Sequence, residues 1–110
     1  MAKYLCMGGY SPEAWTLMVD NPSDRAAAVR KICEDAGGQL DIFYWSFGPD
    51  DWVFICDLPD DVSAAAVSVA ISSSGRLRNV RTQRLITAQE AQSLLAKGKA
   101  LAGGYQRPGG

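Results

Sequence analysis

The order of segments along this 110-residue chain predicts an α+β domain of the ferredoxin-like type, a β-α-β-β-α-β arrangement with a four-stranded antiparallel sheet and one more helix at the C-terminal end. Two observations carry the prediction. Short runs rich in β-branched and aromatic residues alternate with stretches whose apolar residues recur every three or four positions. Two of the strand-like runs are separated only by turn residues, so a hairpin sits between the two helical crossovers. Right-handed crossovers then place both helical layers on the same face of the sheet.

Each element has its own justification. Lys3–Gly9 (KYLCMGG) is an apolar run ended by two glycines and reads as the first strand. Ser11 can cap the following helix and Pro12 suits its first turn, where the missing donor would have no partner. Trp15, Met18 and Val19 share one face of that helix before Asn21-Pro22-Ser23 interrupts it. Ser23–Ala36 resumes helical spacing through Val29, Ile32, Cys33 and Ala36, and Gly37-Gly38 ends it as a left-handed cap would. Gln39–Phe47 is the second strand, Gly48–Asp51 the turn and Trp52–Leu58 the third strand. Pro59-Asp60-Asp61 opens a helix with acidic residues at its positive end, and Val62, Ala65, Ala66, Val69 and Ala70 keep its period. After a break at Ser72–Gly75, the more polar Leu77–Ile86 reads as an edge strand. Thr87-Ala88-Gln89-Glu90 is a capping box that opens a last helix carrying Ala91, Leu94 and Leu95 on one face. One domain is expected over residues 1–102, followed by a flexible Gly- and Pro-rich tail, Gly103–Gly110.

Composition narrows the function. Hydrophobic residues make up 47% and charged residues 21%, as in soluble globular chains. No run is long and apolar enough to span a membrane and the first residues lack a secretory signal, so a cytoplasmic location is expected. The net charge of -1 speaks against nucleic-acid binding, which needs a basic excess. The chain has no histidine, which removes the commonest general base and the His-containing zinc sites. Cys6, Cys33 and Cys56 match no metal spacing, and each lies in an apolar run, so reduced, buried, structural thiols are expected and no metal site is. Phosphate-loop and nucleophile-elbow motifs are missing, and no cofactor is expected.

The faces of the hairpin strands point to a partner. By strict alternation Leu40, Ile42 and Tyr44 share one face and Phe43, Trp45 and Phe47 the other, while Trp52, Phe54, Cys56 and Leu58 oppose Val53 and Ile55. Read as central strands, these two are apolar on both sides, and the helices can cover only one. A contiguous apolar face of that kind marks an interface, most simply with the same face of a second copy. A homodimer through the sheet face is therefore expected; the competing arrangement is a monomer whose terminal helix folds back over the open face.

The segments YLCMGGYSPE (Tyr4–Glu13), AGGQLDIFYWSFG (Ala36–Gly48), DLPDD (Asp57–Asp61) and NVRTQRL (Asn79–Leu85) together resemble the GYD domain family, over about Lys3 to Leu95. The family is grouped with the dimeric α/β-barrel proteins, so the resemblance implies a ferredoxin-like subunit in a barrel-like dimer, without an assigned reaction. The family's Gly-x-Tyr-Asp-like turn reads Gly48-Pro49-Asp50-Asp51 here. Gly48 and Asp51 match, Asp50 replaces the Tyr, and Trp52 stands where a smaller β-branched residue is usual. Relatives in the wider superfamily include cofactor-free monooxygenases and isomerases, whose small apolar or aromatic substrates bind between sheet and helices.

The polar candidates follow. Asp50-Asp51 and Asp60-Asp61 fit a tight turn and a helix start better than an acid–base pair. Asp57 interrupts an apolar strand and calls for a basic partner, with Arg81 the candidate. The arginines at 76, 78, 81 and 84 fit an edge strand guarded by charge better than an anion site. Arg81, between Asn79 and Gln83 on its own face, is the exception. Tyr10, Tyr44, Asp57 and Arg81 are the candidate ligand-binding groups, and their partner is a small organic molecule. Three readings compete. The first is a small-molecule-binding or structural dimer; the second is a cofactor-free enzyme acting on a small aromatic or apolar substrate. The third, RNA binding, is disfavoured because Asp51–Leu58 lacks the basic start and the glycine of an RNA-recognition strand.

Overall fold

A computed structural model describes residues 1–110. The elements are β1 (Ala2–Tyr10), α1 (Pro12–Asp20), α2 (Arg25–Asp35), β2 (Gln39–Trp45), β3 (Trp52–Leu58), α3 (Asp61–Ser72), β4 (Leu77–Leu85) and α4 (Ala88–Ala102). The four strands form one antiparallel sheet in the order β2-β3-β1-β4. That order, with the helical layers on one face, is the ferredoxin-like fold. β2 and β4 are the edges, so of the two hairpin strands only β3 is central; the other central strand is β1.

The helix starts are fixed by local chemistry. The Ser11 hydroxyl accepts from the Ala14 N–H at 3.1 Å. Asp24, one residue beyond the expected start, caps α2 by accepting from the Ala27 N–H at 3.1 Å, and Asp60 caps α3 through the Ser63 N–H at 2.8 Å. Thr87 and Glu90 close a reciprocal capping box. Gly37 ends α2 with φ at +89°, a conformation glycine adopts without penalty. At Gly38 the backbone passes so close to β3 that a Cβ would lie 1.9 Å from the Asp57 carbonyl oxygen.

The core lies between the sheet and α1–α3. Trp52, Phe54, Cys56 and Leu58 of β3 and Tyr4, Cys6 and Tyr10 of β1 are buried there, with Cys33 of α2 and Ala64 and Val67 of α3 packed on them. All three cysteines are free and buried, as the sequence implied. Trp52 fits because it pairs with Gly8, where a Cβ would stand 2.8 Å from the indole Cζ2.

Two irregularities alter the expected faces. The β2–β3 register shifts between Leu40 and Ile42, a bulge at Asp41. Leu40 therefore sits opposite Cys56 on the core side, while Ile42 and Tyr44 face away opposite Ile55 and Val53; strict alternation cannot hold across a bulge. β2 also ends at Trp45, which leaves Phe47 in the turn and fully exposed, not in line with Phe43 and Trp45. A second shift lies between β1 and β4, where Asn79 has φ at +50°, a region asparagine tolerates better than most residues.

The terminal helix does not fold back. α4 buries no residue and adds nothing to the core, and its Leu94, Leu95 and Leu101 are 51%, 70% and 75% exposed. The chain extends 59 × 34 × 23 Å with a radius of gyration of 17.8 Å. About 13 Å suits a compact domain of this size, so α4 projects from the body. The open face, with Leu5, Met7, Ile42, Tyr44, Val53 and Ile55 at its centre, is left uncovered by this chain.

Candidate functional site

A cavity of about 400 Å3 lies between the core face of the sheet and α1, α2 and α3. Its floor is aromatic. Phe43 and Phe54 stack with centroids 6.4 Å apart, and Trp52 and Phe54 stack at 5.8 Å. Cross-strand pairing places these rings side by side, because Phe43 sits opposite Phe54 in the register. Ala14, Leu17 and Met18 of α1 and Val29 of α2 close the other side. Tyr10, at the end of β1, lines one end. There it also meets Trp15 and Trp45, each with its centroid 5.3 Å from the Tyr10 ring.

Ten of the fifteen lining residues are hydrophobic; the polar ones are Asn21, Ser23, Arg25, Ser74 and Arg76. Arg25, the first residue of α2, lines the cavity, and its Nε is buried with no hydrogen-bond partner. The Trp52 indole Nε1 is in the same condition. Burial pushes the Tyr10 phenol above its ordinary value, and hydrogen bonding from Arg25, with its positive charge, pulls the other way. The wall contains no carboxylate. A site of this kind can desolvate a flat apolar body and offer donors to it; it has no strong base.

The four candidate ligand-binding residues do not form one site. Tyr10 is buried in the cavity wall, whereas Tyr44, Asp57 and Arg81 lie on the opposite, open face. Tyr44 stands 61% exposed opposite Val53. Asp57 and Arg81 are not partners. β1 runs between their strands, with Asp57 opposite Lys3 and Arg81 opposite Met7. Those four residues of β1 separate them by about 13 Å along the strand. Asp57 instead pairs with Lys3 at 2.9 Å and accepts from the Gln39 amide at 3.2 Å, while Lys3 also meets Asp41 at the bulge. The Lys3 ammonium holds the Asp57 carboxyl below the ordinary carboxylate range.

The family turn has a structural task. Asp50, in the place of the family Tyr, pairs with Arg81 at 2.7 Å. Asp51 accepts from the Tyr10 N–H at 2.8 Å and from Arg78 at 3.2 Å, and its own N–H donates to the Gly8 carbonyl at 2.8 Å. The turn is thereby latched across β1 onto β4. Alternation alone puts Arg78 and Arg81 on opposite faces; the bulge at Asn79 brings both to the open face, opposite Gly9 and Met7. Arg84 goes to the core side, 6.0 Å over the Tyr4 ring.

Arg25 and Trp52 line the cavity but are not among the four candidate ligand-binding residues. Arg25 reads as an ordinary charged residue at a helix start. The one signal available was Trp52, a large ring directly after the Gly48–Asp51 turn. The hydrogen bond with Cys33 and burial push the Cys56 thiol up, and burial does the same to Cys6; the hydrogen bond with Cys56 pulls the Cys33 thiol down, but Cys33 is fully buried and out of reach of a solvent-borne substrate. No cluster of three or more Cys, Asp or Glu side chains is placed to hold a metal ion. No helix is long and apolar enough to cross a membrane. A comparison with curated proteins gave no match. The GYD domain family model matches residues 4–95, spanning every strand, the latched turn and the cavity wall, and the chain belongs to the GYD domain family.

Proposed function

We propose that this protein is a homodimeric module that binds a small organic molecule in the cavity between its sheet and its helices. The cavity carries the reading: about 400 Å3 of mostly apolar space lies between the sheet and the helices and opens to solvent past Asn21, Ser23, Ser74 and Arg76. The dimer is supported by the open face. Its apolar centre is uncovered by α4 and is framed by ion pairs at both ends, the apolar-core, polar-rim pattern of association surfaces. The same frame argues against RNA, because Lys3, Arg78 and Arg81 are already engaged by carboxylates and are not free for phosphates.

A cofactor-free enzyme acting on a small aromatic or apolar substrate is the second reading. The convergence of Tyr10, Arg25 and Trp52 on the cavity favours it. Against it, the wall lacks a carboxylate, the chain lacks histidine, and burial disfavours the Tyr10 phenolate. Binding therefore ranks first.

Native and then denaturing mass spectrometry of the purified protein tests both halves. The expected mass is twice 11.8 kDa, with a non-covalent excess that disappears on denaturation. Chain mass alone at micromolar concentration overturns the dimer. Turnover of a quinol-like compound that depends on Tyr10 or Arg25 moves the assignment to the enzyme.

A further inference from the structure

We infer that the occupant of this cavity is an amphiphile: a short apolar tail lies between the sheet and the helices, and a single anionic head stays at the mouth beside Arg76. The inference rests on the cavity reading above and adds which way round the occupant lies and what charge it carries.

The first observation is how polarity is spread over the lining. Tyr10, Ala14, Trp52 and Phe54 are the buried lining residues. The exposed ones are Leu17, Asn21, Ser23, Ser74 and Arg76, all polar but the first. Those polar four belong to two connections, one between α1 and α2 and one between α3 and β4. Depth and polarity therefore run in opposite directions. A molecule polar throughout would lose its hydrogen bonds with water against the stacked rings of Phe43, Phe54 and Trp52. A tail that is apolar inside and a head that is polar at the mouth match the gradient.

The second observation is charge. No acidic residue lines the cavity, and its two cations are Arg25 and Arg76. Arg25 is engaged by the Tyr10 phenol. Arg78, Arg81 and Arg84, which follow Arg76 along β4, each have a carboxylate partner, at 3.2, 2.7 and 3.6 Å. Arg76 has none within 4.0 Å. Asp24, beside the mouth in sequence, turns its carboxylate to the Ala27 N–H. The mouth thus holds one cation without a counter-charge, and a guanidinium takes a carboxylate head in preference to a neutral one.

The third observation is how Arg76 is rooted. Its N–H donates to the Ser74 hydroxyl oxygen at 3.2 Å, and that hydroxyl donates to the Ile71 carbonyl at 2.8 Å. Its carbonyl accepts from the Ser11 N–H at 2.8 Å. Gly75, with φ at +73°, makes the turn between them. The backbone of Arg76 is tied to the end of α3 and to the start of α1, so its side chain springs from a fixed point on the rim while its charge stays free. Fixing the root lowers the cost of ordering the side chain on a head group.

The test puts three heads on one tail, as octanoate, 1-octanol and octylammonium, with hexanoate as the shorter acid, against the intact protein. Affinity is read by calorimetry, and the site by the Trp52 indole N–H resonance, assigned through Trp52→Phe. Octanoate is expected to bind about fivefold more tightly than 1-octanol, the scale of one solvent-exposed charge pair, and octylammonium more weakly than either. Hexanoate is expected to bind about tenfold more weakly than octanoate, because two methylenes fewer enter the cavity. Arg76→Gln should bring octanoate down to the 1-octanol value. Arg30→Gln removes the same charge from α2 outside the cavity lining, and should leave the preference intact. Thermal melts check that both variants fold. Equal binding of the three heads, or equal losses in the two variants, overturns the anionic head at Arg76 while the cavity reading stands. Equal binding of hexanoate and octanoate overturns the buried tail. No binding of any probe at millimolar concentration, with the Trp52 resonance unmoved, overturns the cavity reading as well.

Discussion

The two faces of this sheet come from the same strands, yet they solve different problems. On the core side Tyr4, Cys6, Trp52, Phe54, Cys56 and Leu58 are buried under three helices. One residue over, Lys3, Leu5, Met7, Val53, Ile55 and Asp57 point the other way and stay half-buried without a cover from this chain. The core face is closed by packing, save for the one cavity. The open face is apolar in the middle and held at its ends by ion pairs. The difference teaches where each kind of change will register: in folding on one side and, under the proposed dimer, in association on the other.

The largest effect is expected on the core side. Phe54 is 1% exposed at the centre of the cluster, so Phe54→Ala should cost about 3–5 kcal/mol in a urea melt, the range for emptying a large aromatic site. Tyr44→Ala, in the neighbouring strand but on the open face, should change the stability of the dilute chain by about 0.5 kcal/mol or less. Similar losses in the two variants would mean that the faces do not divide as described.

Next is the fit between Gly8 and Trp52. A methyl group on Gly8 would meet the indole at 2.8 Å and the backbone of β4 at 3.1–3.2 Å. Gly8→Ala is expected to cost about 1–3 kcal/mol, as overpacked cores do. Combining it with Trp52→Val should recover part of that loss, since the two groups compete for one space. Additive losses in the double-mutant cycle would instead place the strain in the backbone of β4.

The open face is tested by charge. Ile55 lies at its middle, opposite Leu5 and Ile42. Ile55→Asp should weaken self-association about a hundredfold, equivalent to about 2.7 kcal/mol, while the far-ultraviolet circular dichroism of the chain stays unchanged. Sedimentation at several concentrations reads it. An unaltered dimer would move the interface elsewhere, with the exposed apolar side of α4 the next place to look.

Much of this comparison was legible in the sequence, for a physical reason. Element order, caps and the hairpin depend on local chemistry, and Ser11, Gly37 and the Thr87–Glu90 box act at the positions where they were read. So does the apolar character of both faces. What the sequence concealed was registry. The bulge at Asp41 moves Leu40 to the core, and the one at Asn79 brings Arg78 beside Arg81. Each bulge is a choice among pairings of nearly equal local energy, settled by contacts far along the chain. The candidate site was hidden for a related reason. Tyr10 was found because aromatics at strand ends are conspicuous, but Tyr44, Asp57 and Arg81 fell on the other face. Arg25 came into view only once α2 lay across the sheet.

Titration separates the two faces more gently. The Tyr4 hydroxyl donates to Asp61 at 2.6 Å on the core side. That hydrogen bond, with burial, pushes the phenol up to about 12. A group with a raised folded pKa stabilises the fold fully below its unfolded value near 10, and the contribution is lost as pH rises through the folded one. In an ultraviolet titration one of the four tyrosines should therefore ionise near pH 12, and Asp61→Ala should bring it down. If all four titrate together in the wild type, the Tyr4–Asp61 bond does not persist in solution.

The smallest effect belongs to the open face and has the opposite sign. Hydrogen bonding to Lys3 lowers the Asp57 carboxyl, and Lys3 is raised in turn by Asp41 and then Asp57. Because the folded-state value of Asp57 is depressed, its contribution is present above the unfolded value near 4 and is lost as pH falls through the folded one. Lys3 behaves in reverse, holding its contribution below its unfolded value near 10.4 and losing it only at higher pH. Between those limits the pair is intact, and at its partly exposed position it is worth about 0.2–1 kcal/mol. Asp57→Asn should remove that amount at pH 7 and flatten the acid limb of the stability curve below about pH 4. It should leave the alkaline limb sloping, because Asp41 still holds Lys3. A second measurement ties the pair to association: if the open face closes against a second copy, Lys3 and Asp57 lose water and the acid limb should steepen with protein concentration. A limb that is independent of concentration would place this end of the sheet outside any interface, and would leave the proposed dimer only the Ile55 side of the face.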